Sequence, residues 1–155
     1  MGLRYFVKKK PPEDAAGQRT AILVLGMHRS GTSALARTVN LLGATAPRTL
    51  MPADQTNPRG FWESNRLVPI DEAILTAFGS AWDGWQAGDP AWLGYRDVPV
   101  LMARLRATLL EEFADAKLFV VKDPRLCRLL PIWLEVLRST NVAAVALHIL
   151  SLIHI

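Results

Sequence analysis

Ala21-Ile-Leu-Val-Leu25-Gly26-Met-His-Arg-Ser-Gly31-Thr-Ser33 is the stretch on which the reading of this chain turns. The unbroken apolar run Ala21 to Leu25 suits a strand covered on both faces in a parallel sheet. Gly26 and Gly31 then bracket a tight turn. From Thr32 onward Leu35, Val39 and Leu42 recur at helical spacing, and Gly43 stands where a glycine commonly ends a helix. A strand, a glycine loop and a helix in that order bring backbone N–H groups together at a helix N-terminus. The helix dipole adds its positive end, so the arrangement favours a phosphate-like anion.

The same alternation continues along the chain. Lys8 to Thr20 is rich in charge, Pro and Gly and reads as a linker, so residues 1–20 form a leader and 21–155 the domain. Residues 44–60 carry three prolines, Pro47, Pro52 and Pro58, and read as a loop ending in Phe61-Trp62-Glu63-Ser64. A helix is predicted over 65–78, with Leu67, Ile70, Ile74, Leu75 and Phe78 on one face, its start held near Pro69 and its end at Gly79. Residues 80–98 read as a loop with aromatic anchors, and 99–114 return to helical spacing. Leu118 to Val121 is a second buried strand, with Lys122-Asp-Pro-Arg125 at its carboxyl end, where open α/β sheets bind ligands. Cys127 to Leu137 is helical with Pro131 near its start, and Val142 to Ile149 is a third strand. The fold class is therefore α/β, a three-layer fold with a parallel central sheet.

Composition narrows the possibilities. The 155 residues are 50% hydrophobic, enough for one cored domain, and the net charge of +4 suits an anionic ligand without naming one. One cysteine, Cys127, excludes an internal disulfide and points to a reducing cytoplasm. It reads as a small buried hydrophobe. With no Cys/His ligand spacing, and with His148 and His154 on an apolar strand pattern, no metal site is expected. The basic N-terminus lacks the apolar stretch of a secretory signal, and Phe6 stands where a myristoylation signal needs Ser or Thr. Neither a membrane span nor a nucleic-acid partner is expected.

Gly26-Met-His-Arg-Ser-Gly31 matches the Gly-x-x-x-x-Gly spacing of a P-loop, but Thr32 occupies the place of the lysine that nucleotide kinases and NTPases use on terminal phosphates. The cation is instead Arg29. With that arginine followed by Ser30-Gly31-Thr32-Ser33, the stretch resembles the 5'-phosphosulfate-binding loop of sulfotransferases that use 3'-phosphoadenylyl sulfate (PAPS). The resemblance implies a P-loop fold and transfer of a sulfuryl group from PAPS, as co-substrate, to an acceptor hydroxyl or amine, without a metal. It implies that Gly26, Met27, His28, Arg29, Ser30, Gly31, Thr32 and Ser33 bind the phosphosulfate, with Arg29 stabilising the leaving oxygen. Preorganised donors at a developing charge are each worth about 3 kcal/mol in a dry site.

The resemblance extends further along the chain. Asn57-Pro-Arg-Gly-Phe-Trp-Glu-Ser64 followed by Asn65-Arg66 is similar to the acceptor-side segment of bacterial sulfotransferase-like proteins and, more loosely, to the Glu-x-x-Arg element of tyrosylprotein sulfotransferases. It implies Glu63 as general base and Arg66 as an orienting residue. An equally open reading has Glu63 in the first turn of the following helix, where acidic residues are favoured. Lys122-Asp-Pro-Arg125 also fits the family, with Lys122 touching the transferring sulfonate, Asp123 and Arg125 forming an ion pair and Pro124 fixing the turn. His28 reads as a loop residue, and Trp62, Trp82, Trp85, Trp92 and Trp133 as core or rim anchors.

The family binds the 3'-phosphate through an arginine and a serine after the third strand. Here the chain reads Ser151-Leu-Ile-His-Ile155 instead, so the expectation is a C-terminally truncated member that lacks that site, whose activity is in doubt where a full-length relative would be active, and whose last apolar strand lies at an exposed sheet edge. Two other functions compete: a P-loop kinase or NTPase, and a phosphate-binding remnant without turnover. The acceptor class and the oligomeric state stay open.

Overall fold

A computed structural model describes residues 17–55, 57–84 and 94–150. Three strands, β1 (Arg19–Leu25), β2 (Leu118–Lys122) and β3 (Val142–His148), form a parallel sheet in the order β2-β1-β3. Four helices accompany them: α1 (Thr32–Leu41), α2 (Val68–Ala77), α3 (Val98–Phe113) and α4 (Leu126–Ser139). The α/β class and the parallel sheet agree with the periodicity of the sequence. None of the described helices is long and apolar enough to cross a membrane.

Alternation along β1 sends side chains to two different cores. Ala21 and Leu23 pack with Phe119 and Val121 beneath α2, α3 and α4, while Val24 joins Ala36, Val39, Ala44 and Val120 on the side of α1. The larger core is closed by the stacked rings of Phe113 and Phe119, with centroids 4.3 Å apart, and by the fully buried Trp133. Because β1 is central and covered on both faces, its apolar run needs no polar alternation.

The helices sit close to their expected ranges, with instructive shifts. β1 starts at Arg19, inside the stretch read as linker, because Thr20 already donates its N–H to the Lys117 carbonyl at 2.7 Å. On α1 the buried positions are Thr32, Ala36 and Val39; Leu35 is half-buried and Leu42 is 80% exposed, so the packed face is rotated from the one the leucines suggest. Gly43, at φ 105°, and Gly79, at φ 68°, do follow their helices in the left-handed conformation that glycine accepts without penalty. α4 runs through Pro131 and extends to Ser139, and Cys127 is exposed, not buried. The buried set of α4, which includes Leu126, Leu129, Ile132, Trp133, Val136 and Leu137, leaves Cys127 on the opposite side.

The loop at 44–64 is more ordered than three prolines imply. Thr45 adds a parallel bridge to the outer edge of β2, giving its N–H to Leu118 and taking one from Val120. Further on, Met51 N–H bonds the Glu63 carbonyl at 2.7 Å, and Asn65 N–H bonds Thr49 at 2.8 Å. This short antiparallel clamp fixes the backbone on either side of Glu63.

At the other edge, β3 pairs with β1 through seven registered positions and exposes Val145 and His148. Register matters for function at the sheet's carboxyl end, where Val24 stands beside Lys122 and Leu25 beside His148. The loop after β1 turns to α1 on one face and the loop after β2 turns to α4 on the other. Adjacent strands whose chains leave to opposite faces open a crevice between their ends.

Candidate functional site

The loop after β1 is built by two left-handed residues. Arg29 has φ 65° and Gly31 φ 92°, and Ser30 closes the turn by donating both its N–H and its hydroxyl to the Met27 carbonyl. Leu35 N–H to Gly31 is the first bond of α1. The N–H groups of Thr32, Ser33 and Ala34 precede it and have no intrahelical acceptor by the geometry of a helix end. No acidic side chain lies in that turn to neutralise them. The helix therefore presents an uncapped, positive N-terminus.

Gly26 has a different task. Its N–H bonds Cys127 Sγ at 3.2 Å, and a Cβ there would stand 2.8 Å from Ile149 Cγ2 and 2.9 Å from the Ile149 carbonyl. Only glycine lets the loop leave β1 so close to the backbone beyond β3. Of the loop residues named from sequence, His28, Arg29, Gly31, Thr32 and Ser33 line an open cleft of about 1170 Å³; Gly26, Met27 and Ser30 shape the turn behind it.

Glu63 and Lys122, far apart in sequence, meet in the same cleft. Lys122 Nζ donates to Glu63 Oε1 in a direct ion pair, and each residue is 5% exposed. Burial pushes the Glu63 carboxyl above its ordinary value, and the Lys122 charge opposes that rise. Its second oxygen lies 3.7 Å from Arg125 Nη1. The helix-capping alternative for Glu63 is overturned, since α2 begins only at Val68, with Pro69 in its first turn. Ser64 holds the preceding turn instead, its hydroxyl accepting the N–H groups of Arg66 and Leu67 at 3.1 Å.

That turn also corrects the reading of Arg66. Its guanidinium leans outward onto α3, bonded to Glu111 and 3.8 Å from Glu112, and it does not line the cleft with Glu63. Asp123 and Arg125 do form the expected ion pair, at 2.9 Å, and Arg125 reaches further to Glu72 at 2.6 Å. Burial weakens the Arg125 charge, but Asp123 and Glu72 outweigh it and raise its proton affinity.

Beneath these residues lies a carboxyl that the sequence reading passed over. Asp71 is fully buried, accepts the Trp133 indole N–H at 2.9 Å and faces Asp123. Burial first, and the Asp123 charge second, hold it protonated well above the ordinary carboxylate range. The signal was present: Asp71 falls between Leu67 and Ile74 on the apolar face of α2, where a charged residue is out of place.

His28 packs edge-on against Trp82, ring centroids 5.0 Å apart. Burial, helped by the charges of Arg125 and Lys122, lowers its pKa and so favours the neutral imidazole. Trp62 also lines the cleft and Trp133 belongs to the core, while Trp85, Trp92 and His154 lie outside the described residues. Among the described residues no group of His, Cys, Asp and Glu has the makings of a metal site. No protein-family model matches this chain, and it matches no curated protein and no solved structure.

Proposed function

We propose that this chain is a P-loop domain of the three-layer type that binds PAPS and transfers its sulfuryl group to an acceptor hydroxyl or amine. One observation carries the reading: a glycine-bracketed loop holding Arg29 at an uncapped helix N-terminus shares a cleft with the buried Glu63–Lys122 pair. The resemblance of Gly26–Ser33, Glu63 and Lys122-Asp-Pro-Arg125 to the sulfotransferases supports the choice of donor.

In this reading the N–H groups of Thr32, Ser33 and Ala34 and the Arg29 guanidinium hold the phosphosulfate. Glu63, made more basic by burial, removes the acceptor proton as the acceptor oxygen or nitrogen bonds to sulfur. The bond from sulfur to the bridging oxygen breaks, and that oxygen leaves as phosphate carrying the electron pair. Arg29 meets the charge that develops there, and Lys122 meets the charge on the sulfonate in flight. Protonation of Glu63 frees Lys122 from its ion pair at the step where the sulfonate needs it. Proton removal and sulfonate stabilisation are thereby coupled.

Calorimetric titration with 3'-phosphoadenosine 5'-phosphate, beside ATP with magnesium, tests the proposal. The expected result is preference for the bisphosphate, weakened about tenfold or more in Arg29→Ala, the cost of losing one charge-assisted contact. Preference for ATP with magnesium would establish the NTPase reading in its place. No binding by folded protein would reduce the chain to a scaffold without a nucleotide site.

A further inference from the structure

Beyond Arg29 and Lys122, the cleft carries two more cations that the transfer reaction above does not use. Arg37 projects from α1 one turn after Ser33, and Arg59 from the loop leading to Trp62; both line the cleft. Among the described residues neither has a carboxylate partner. Among the described residues Glu63 is the sole carboxylate of the lining, and it is already occupied by Lys122 and Arg125. Among the described lining residues, cations therefore outnumber carboxylates at this end of the cleft.

The surrounding loop is tied down. Asn57 accepts the Gly60 N–H on its carbonyl at 3.0 Å and donates its side-chain amide to the Gly60 carbonyl at 2.8 Å. The Ser33 hydroxyl bonds the Phe61 carbonyl at 3.1 Å, docking the loop on α1. Trp62 is then held at φ 62°, a conformation a bulky residue adopts only when its surroundings impose it, and its indole N–H bonds the Arg59 carbonyl at 3.3 Å. The guanidinium of Arg37 lies over the Trp62 ring, 4.8 Å from its centroid. That cation–π contact holds the guanidinium against the ring without using its N–H donors, which can still reach an oxyanion.

We infer that Arg37, Trp62 and Arg59 form an acceptor subsite for a ring-bearing anion, a molecule carrying a carboxylate, sulfate or phosphate beside the hydroxyl to be modified. Arg37 and Arg59 clamp the anionic group, and the tryptophan supplies a flat apolar wall for the ring. The subsite rests on the sulfotransferase reading for its role as acceptor site. Its anion selectivity stands on the geometry alone.

The test uses two probes that differ only at C6, a carboxylate in phenyl glucuronide and a neutral hydroxymethyl in phenyl glucoside, titrated calorimetrically into the full chain, with 3'-phosphoadenosine 5'-phosphate titrated separately. The glucuronide is expected to bind about tenfold or more tightly than the glucoside, and Arg37→Gln to abolish that difference while leaving the bisphosphate affinity within about twofold. Phenyl phosphate in place of the glucuronide tells a carboxylate preference from a phosphate preference. Equal binding of glucuronide and glucoside, or failure of both to bind, overturns the subsite. So does loss of bisphosphate binding in Arg37→Gln with its fold intact by circular dichroism, since Arg37 would then belong to the nucleotide. Glucuronide selectivity that depends on Arg37 in a chain that ignores the bisphosphate keeps the subsite and removes the sulfotransferase reading.

Discussion

Lys122 and Glu63 illustrate what a buried ion pair demands of its partners. Taking both from water costs several kcal/mol per ion, which their mutual attraction repays only while both are present. Removing one leaves the other charged in a site that is 5% exposed. Glu63→Ala and Lys122→Ala are therefore each expected to lose roughly 3–5 kcal/mol in urea unfolding. The double variant Glu63→Ala/Lys122→Met should lose far less than the sum, because no unpaired charge remains and the methionine refills the space. Additive losses would mean that the two side chains are hydrated independently. Nearby Arg125 shares Glu63 only at 3.7 Å and has Asp123 and Glu72 as firmer partners, so it cannot take over the role of Lys122.

At the scale of elements, periodicity located every helix and strand that positions the cleft, since each has an apolar face long enough to register. What it could not locate was orientation. Leu35, Val39 and Leu42 suggested the inner face of α1, yet of these only Val39 is buried there, beside Thr32 and Ala36. The same limit hid the pairing of Glu63 with Lys122: both residues were visible as candidates, but the clamp between 49–51 and 63–65 that brings them together is made of backbone bonds with no apolar signature. Arg66 shows the converse, where a motif match carried over a role that local turn geometry denies. Pro131 offers a test at this scale. It lies in the interior of α4, exposed, where it leaves the Cys127 carbonyl without its helical N–H donor. Proline in a helix interior costs about 3 kcal/mol relative to alanine in isolated helices. Pro131→Ala is expected to raise stability by about 1–3 kcal/mol in urea titration, the lower end applying if the proline also restrains the unfolded chain. A loss of stability would show that Pro131 helps to seat Leu129 and Trp133.

For the molecule as a whole, the buried acid beneath the cleft links folding to pH. Asp71 binds its proton more tightly in the folded state than its ordinary value of 3.8, so above that pH the native state holds a proton that the unfolded chain has released. Stability from this group is fully present below the ordinary value and is lost as pH rises through the folded one. Glu63, also raised, acts with the same sign. His28 acts with the opposite sign: its lowered pKa favours the fold above its ordinary value of 6.5, and that advantage fades as pH falls through the folded one. Asp71→Asn separates these contributions. An asparagine oxygen can accept the Trp133 indole N–H, while its amide donates toward Asp123, reproducing the protonated acid without a titrating group. The variant is expected to match the wild type in urea unfolding near pH 4 and to exceed it progressively toward pH 8. A constant offset between the two across that range would show that Asp71 releases its proton in the fold as easily as in the unfolded chain, and that Asp123 and the Lys122–Glu63 pair above it rest on an ionised base.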